Sequence, residues 1–193
     1  METSYDESTI EPIPRAVCVY CASSTLSAPS YRDLAFDLGQ QLARGQRTVI
    51  YGGSRQGSMG ALADGALSLN GTVIGVLPGF LQALEIAHDR LTELHIVDDL
   101  RHRKAWFLSR ASAVVALPGG TGTMEELLEA LTYKRLGLFR GPIVILNQDR
   151  FYDPLLSMLT SAIAARFIAP SDPTLWETAD TVQEALVILD RYG

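Results

Sequence analysis

The sequence predicts an α/β fold, a mostly parallel sheet with helices on both faces. Three observations predict it. Short apolar runs rich in β-branched residues recur along the 193 residues. Most of these runs are followed by a segment with helical spacing of apolar residues. Two glycine-rich stretches, "GGSRQGSMG" after Tyr51 and "PGGTGTMEE" after Leu117, each lie between a strand pattern and a helix pattern. In such folds ligands bind beyond the carboxyl ends of the strands, where both stretches fall.

The elements follow in order. Ala16–Cys21 is the first strand. Tyr31–Ala43 is an amphipathic helix with Leu34, Leu38 and Leu42 on one face, ended by Gly45. Thr48–Tyr51 is a strand, Ala61–Leu69 a helix of small residues closed by Asn70-Gly71, and Thr72–Leu77 a strand stopped at Pro78-Gly79. Phe80–Leu94 has no clear period. A short strand at His95–Val97, a helix at Leu100–Ser112, a strand at Ala113–Leu117, a helix at Met124–Leu136 and a strand at Pro142–Leu146 come next. Helices at Pro154–Arg166 and Thr181–Tyr192 complete the chain, with a short strand near Leu175–Glu177.

A chain of this length, 47% hydrophobic, fits one domain with a sizeable core. Residues 1–14 read as an acidic, polar, mobile tail and residues 15–193 as the single domain. The net charge of −6 gives no overall basic field for nucleic acid. The tail has no secretory h-region and no apolar run reaches the roughly 20 residues of a membrane span, so a cytoplasmic location is expected. Cys18 and Cys21 are spaced C-x-x-C, but three residues apart on a strand point to opposite faces. They read as structural, and no ligand cluster calls for a metal.

The second glycine stretch has the makings of an anion cradle. Glycines let backbone N–H groups approach a phosphate, and a helix start adds unpaired N–H groups and a positive dipole end. Neither stretch is a Walker A loop or a G-x-G-x-x-G dinucleotide fingerprint, which argues against an NAD-dependent enzyme. A plain tight connection is the alternative. Thr123-x-x-Glu126 fits a capping box, and Glu125 and Glu126 fit the helix dipole. A carboxylate beside a phosphate cradle also suits cleavage at a ribose, because an oxocarbenium-like transition state is stabilised by a fixed anion. The basic run Leu100-Arg101-His102-Arg103-Lys104 opens a helix, where cations are disfavoured by roughly 0.3–1 kcal/mol each. It is either a functional cluster or a solvated face paired with Asp98 and Asp99.

The tandem of Arg103-Lys104 and "PGGTGTMEE", with "YGGSRQGSMG" upstream, resembles the Lonely Guy family of cytokinin riboside 5′-monophosphate phosphoribohydrolases. The likeness runs from about Val17 to Asp153 and includes "CASS", "VIGVLP", "EIAH" and "LTELHIVDD". The resemblance implies a Rossmann-like fold, a homodimer, and hydrolysis of a cytokinin ribotide or related purine nucleoside 5′-monophosphate to free base and ribose 5-phosphate, with no cofactor. It assigns catalysis to Arg103 and Glu126. Substrate contacts fall on Glu85, Lys104, Gly119, Gly120, Thr121, Gly122, Thr123, Met124, Glu125 and Thr132. Three positions depart from the family pattern. Arg101 stands where a histidine is common, Thr121 where a tyrosine is common, and Ala22 where a glycine is common. Those at Arg101 and Thr121 bear on base preference. Molybdenum-cofactor carriers resemble the same fold and loop and define the non-catalytic alternative. Lysine decarboxylation would need a pyridoxal Schiff base on Lys104 or Lys134, and neither setting supports it.

Overall fold

The computed structural model describes residues 12–83, 86–169 and 175–192. The mobile tail expected over 1–14 lies mostly outside them; the described Ile13 donates its N–H to the Arg110 carbonyl at 2.8 Å. Strands β1 (Val17–Tyr20), β2 (Val49–Tyr51), β3 (Val73–Pro78), β4 (Glu93–Val97), β5 (Ala113–Ala116), β6 (Ile143–Leu146) and β7 (Glu177–Ala179) alternate with helices. The helices are α1 (Pro29–Arg44), α2 (Gly57–Leu67), α3 (Leu100–Arg110), α4 (Thr121–Arg135), α5 (Asp153–Ala164) and α6 (Val182–Asp190). Every strand pairing is parallel, in the order β4-β3-β2-β1-β5-β6-β7. The expected α/β architecture is the one observed.

The buried strand residues alternate between two apolar layers, as the two-residue period of a strand requires. Val17, Val19, Val115 and Leu146 join Leu38, Leu62 and Ile188 from α1, α2 and α6 on one face. Tyr20, Val114, Ala116 and Ile145 join Phe107, Leu127 and Leu159 from α3, α4 and α5 on the other. Cys18 and Cys21 fall in opposite layers, both buried and neither in a disulfide, as the strand period predicts.

The strand order reverses at β1, which has β2 on one side and β5 on the other. The chain leaves β1 and β5 in different directions there and opens a crevice at their carboxyl ends. The helix boundaries carry a physical lesson. Helix α1 begins two residues early because Pro29 suits the first helical turn. Gly45 does end it, but with φ −77°; the left-handed turn is taken by Gln46 at φ 53°. Helices α2 and α4 both begin inside the glycine-rich stretches, at Gly57 and Thr121, not at Ala61 and Met124. At the start of α2 a small residue serves close packing: a Cβ on Gly60 would come within 2.0 Å of the Arg55 carbonyl oxygen. The unassigned region before β4 contains a 3-10 turn at Gly79–Ala83 and a lone antiparallel bridge, Ser54 with Ala87.

Candidate active site

The early start of α4 decides one question the sequence leaves open. Its N-cap is Gly120, without a side-chain cap. Thr123 is therefore three residues into the helix and cannot act as the N-cap of a capping box, and Glu126 lies beyond the first turn. The helix geometry leaves the N–H groups of Thr121, Gly122 and Thr123 without intrahelical acceptors. All three residues line a cavity of about 350 Å³ at the crevice between β1 and β5.

Three segments form most of the wall of this cavity. The turn after β1 gives Cys21, Ala22, Ser23 and Ser24. The start of α3 gives Leu100, Arg103 and Lys104, and the start of α4 gives Gly120 to Thr123 with Glu125 and Glu126. Met59 of α2 and Leu81 complete the lining. Of the residues expected at the site, Arg103, Lys104, Gly120, Thr121, Gly122, Thr123, Glu125 and Glu126 come together here. Gly119 lies just beneath, where a Cβ would meet Thr123 Oγ1 at 2.2 Å. Met124 turns toward the second apolar layer. Thr132 stands on an exposed part of α4, donates its hydroxyl to the Leu128 carbonyl at 2.8 Å, and borders a different cavity of about 230 Å³. Glu85 lies outside the described residues.

Arg103 is buried, and its guanidinium is set in three ways. Nη2 lies 3.9 Å from Glu126 Oε1. The guanidinium carbon is 5.4 Å from the centre of the Phe107 ring, within cation–π range. Gly52, at the end of β2, leaves it room: a Cβ there would sit 2.1 Å from Nη2 and 2.8 Å from Met59 Cε. Nε is buried without a hydrogen-bond partner among the described residues. Lys104 pairs with Glu125 and, at 3.3 Å, with Glu129 one turn further along α4. Burial opposes its charge, but the hydrogen bonds to those carboxylates prevail and raise its pKa above the usual amine value.

The basic opening of α3 is thus divided. Arg103 and Lys104 turn into the cavity, while Asp99 caps the helix by accepting from the His102 N–H at 2.8 Å. Beneath the cavity floor, burial pushes the Cys18 thiol and the Tyr20 phenol well up, and the Glu126 charge adds to both shifts. Both groups therefore stay neutral below Glu126. The turn after β1 was visible in the sequence as "CASS" but carried no assigned role; its place at the strand-order reversal was the available signal. No group of three or more His, Cys, Asp or Glu among the described residues is arranged to hold a metal. No helix among them is long and apolar enough to cross a membrane.

Fold and cavity together define an α/β protein with an open helix start and a buried arginine–glutamate pair at its switch point. Solved structures share this fold. The molybdenum cofactor carrier protein of Chlamydomonas reinhardtii superposes with a TM-score of 0.70 at 24% identity, covering 94% of this chain and 98% of that one, a likeness of fold alone. A structural-genomics target gives 0.73 at 26% identity, over 92% of this chain and 99% of that one. Sequence relatives are closer. The cytokinin riboside 5′-monophosphate phosphoribohydrolase of Rhodococcoides fascians is 44% identical over 161 residues, 83% of this chain and 81% of that protein. The Arabidopsis thaliana enzyme LOG3 is 36% identical over 179 residues, 93% of this chain and 83% of that protein. A family profile described as "Possible lysine decarboxylase" matches residues 59–189. The chain belongs to this Lonely Guy family.

Proposed function

We propose that the chain hydrolyses the N-glycosidic bond of a cytokinin riboside 5′-monophosphate, or a related purine nucleoside 5′-monophosphate. The products are the free base and ribose 5-phosphate. The observation that carries this reading is the Arg103–Glu126 pair in one cavity with the open start of α4. The 5′-phosphate rests on the N–H groups of Thr121 to Thr123, with Lys104 at its side. Glu126 faces C1′ of the ribose. As the bond from C1′ to the base nitrogen breaks, positive charge grows on the sugar and the carboxylate stabilises it. Glu126 also orients the water whose oxygen ends on C1′, and the base leaves carrying a proton. Arg103 holds the carboxylate and the substrate in register. A cavity of about 350 Å³ lies within the range that small-molecule sites occupy. Family relatives named for this reaction support the reading over a carrier role.

A homodimer is part of the proposal. The family likeness assigns Thr132 to substrate, yet Thr132 lies outside the cavity of its own chain. Leu128 and Phe167, 42% and 81% exposed, border the same second cavity as Thr132 and offer apolar surface to a second copy. Sedimentation of the purified protein tests this; a monomer at assay concentrations would overturn it. A cytoplasmic location suits two cysteines that form no disulfide. The catalytic test is base release from AMP and isopentenyladenosine monophosphate by wild type and Glu126→Ala. Release by wild type alone supports the proposal, and full activity in Glu126→Ala defeats the assignment.

A further inference from the structure

We propose that Tyr152 is a positioning residue that braces the phosphate loop through the carbonyl of Leu117. The inference deepens the proposed reaction and rests on that reading of the loop. The last paired residues of β1 and β5 are Tyr20 and Ala116. One residue on, the Leu117 N–H still donates to the Tyr20 carbonyl at 2.9 Å. Beyond it the two chains part to open the cavity, and the Leu117 carbonyl lies past the last rung of the ladder. Pro118 follows and brings no N–H of its own. The Tyr152 hydroxyl takes the place of the missing rung, donating to the Leu117 carbonyl at 2.7 Å.

Tyr152 is held for this task. It is 1% exposed, packed in the layer with Phe107 and Leu127. Its N–H donates to Asn147 Oδ1 at 2.7 Å, and Asn147 Nδ2 donates to Asp153 Oδ1 at 2.8 Å. Asp153 also pairs with Arg150 Nε at 2.6 Å. Asn147 is anchored to the next strand by its own N–H, which donates to the Ala179 carbonyl at 2.7 Å. The turn from β6 into α5 is thus a polar bracket, and its one buried phenol reaches across to the exit of β5. Burial raises the phenol above its ordinary range, so the hydroxyl keeps its proton and remains a donor. A Leu117 carbonyl without this bond would be a buried acceptor left unpaired. The loop that follows, Pro118 to Gly120, sets where the N–H groups of α4 point.

The test is Tyr152→Phe, which removes one oxygen and little volume. Three readouts apply: inhibition by ribose 5-phosphate, KM and kcat for AMP, and amide hydrogen exchange along the loop. The expected result is weaker ribose 5-phosphate binding by about five- to tenfold, with KM for AMP rising in step. Exchange quickens at Gly119 to Thr123 while Ala113 to Ala116 in β5 stay protected. Asn147→Ala keeps the phenol but loosens its bracket, and moves the same readouts in the same direction. A lower melting temperature with unchanged ribose 5-phosphate inhibition and unchanged loop exchange would make Tyr152 merely structural and overturn the proposal. Should wild type release no base, the reaction reading fails separately. Loop exchange then decides alone: faster exchange in Tyr152→Phe upholds the brace, and unchanged exchange defeats it.

Discussion

Arg103 and Glu126 meet between the N-terminal halves of two different helices, with 6% and 12% of their side chains exposed. A gap of 3.9 Å is wide for an ion pair. Both side chains line the same cavity, so a ligand bound there would meet the two of them together. Arg103→Ala removes the cation beside Glu126 and, on the proposed reading, the group that registers the substrate. The expected outcome is a loss in kcat/KM of about 10²- to 10³-fold, the scale of one preorganised electrostatic contact. Steady-state kinetics on AMP check it.

Gly52→Ala separates geometry from chemistry. The new methyl would press on the end of the Arg103 side chain and on Met59, both flexible, and not on backbone. The fold should hold while the guanidinium shifts. A displacement of about 1 Å at a reacting centre costs on the order of 10²-fold. We expect a large fall in kcat with little change in melting temperature, read by kinetics and calorimetry on the same preparation.

The Lys104 ion pairs predict an alkaline limit. Its pKa is raised on folding, so its contribution to stability is fully present below the unfolded value near 10.5 and fades as pH rises through the folded value. Wild type should therefore melt above Lys104→Met by a constant margin from about pH 6 to about pH 9. The margin narrows above 10.5. Melting curves over this range supply the check. High salt shrinks the margin because the pairs are partly solvated.

Asp99 predicts the opposite limit. The His102 N–H, and then the His102 ring, lower its pKa from the usual 3.8. A carboxylate lowered on folding contributes stability above its unfolded pKa and loses it as pH falls through the folded one. Asp99→Ala should melt lower than wild type at neutral pH through loss of the α3 cap. The difference should close as pH drops below 3.8. Asp99→Asn, which still caps, should keep most of the neutral-pH stability.

Most of the fold was legible because it rests on periodicity. The β-branched runs at Val17–Tyr20 and Ile143–Leu146 could pack as little else between two layers of helices. The starts of α2 and α4 were not legible, because glycine argues for loop locally while tight packing or an open ligand face asks for it globally. The site was half legible. Arg103 stood out as a cation at a helix start and Glu126 as a carboxylate beside a glycine loop, whereas Gly52 and the "CASS" turn matter through distances that only the folded chain sets. Tyr152 carried no local signal at all, since its partner Leu117 is 35 residues away.

A Cβ placed on Gly120 or on Gly122 would touch no protein atom within 4 Å. Nothing in the polypeptide itself requires those two positions to be bare. Selection for folding or solubility is therefore blind to them, and libraries screened for thermal tolerance will accept bulk there freely. Such variants would be well-behaved proteins with an occluded berth, distinguishable from the parent only when a nucleotide is offered.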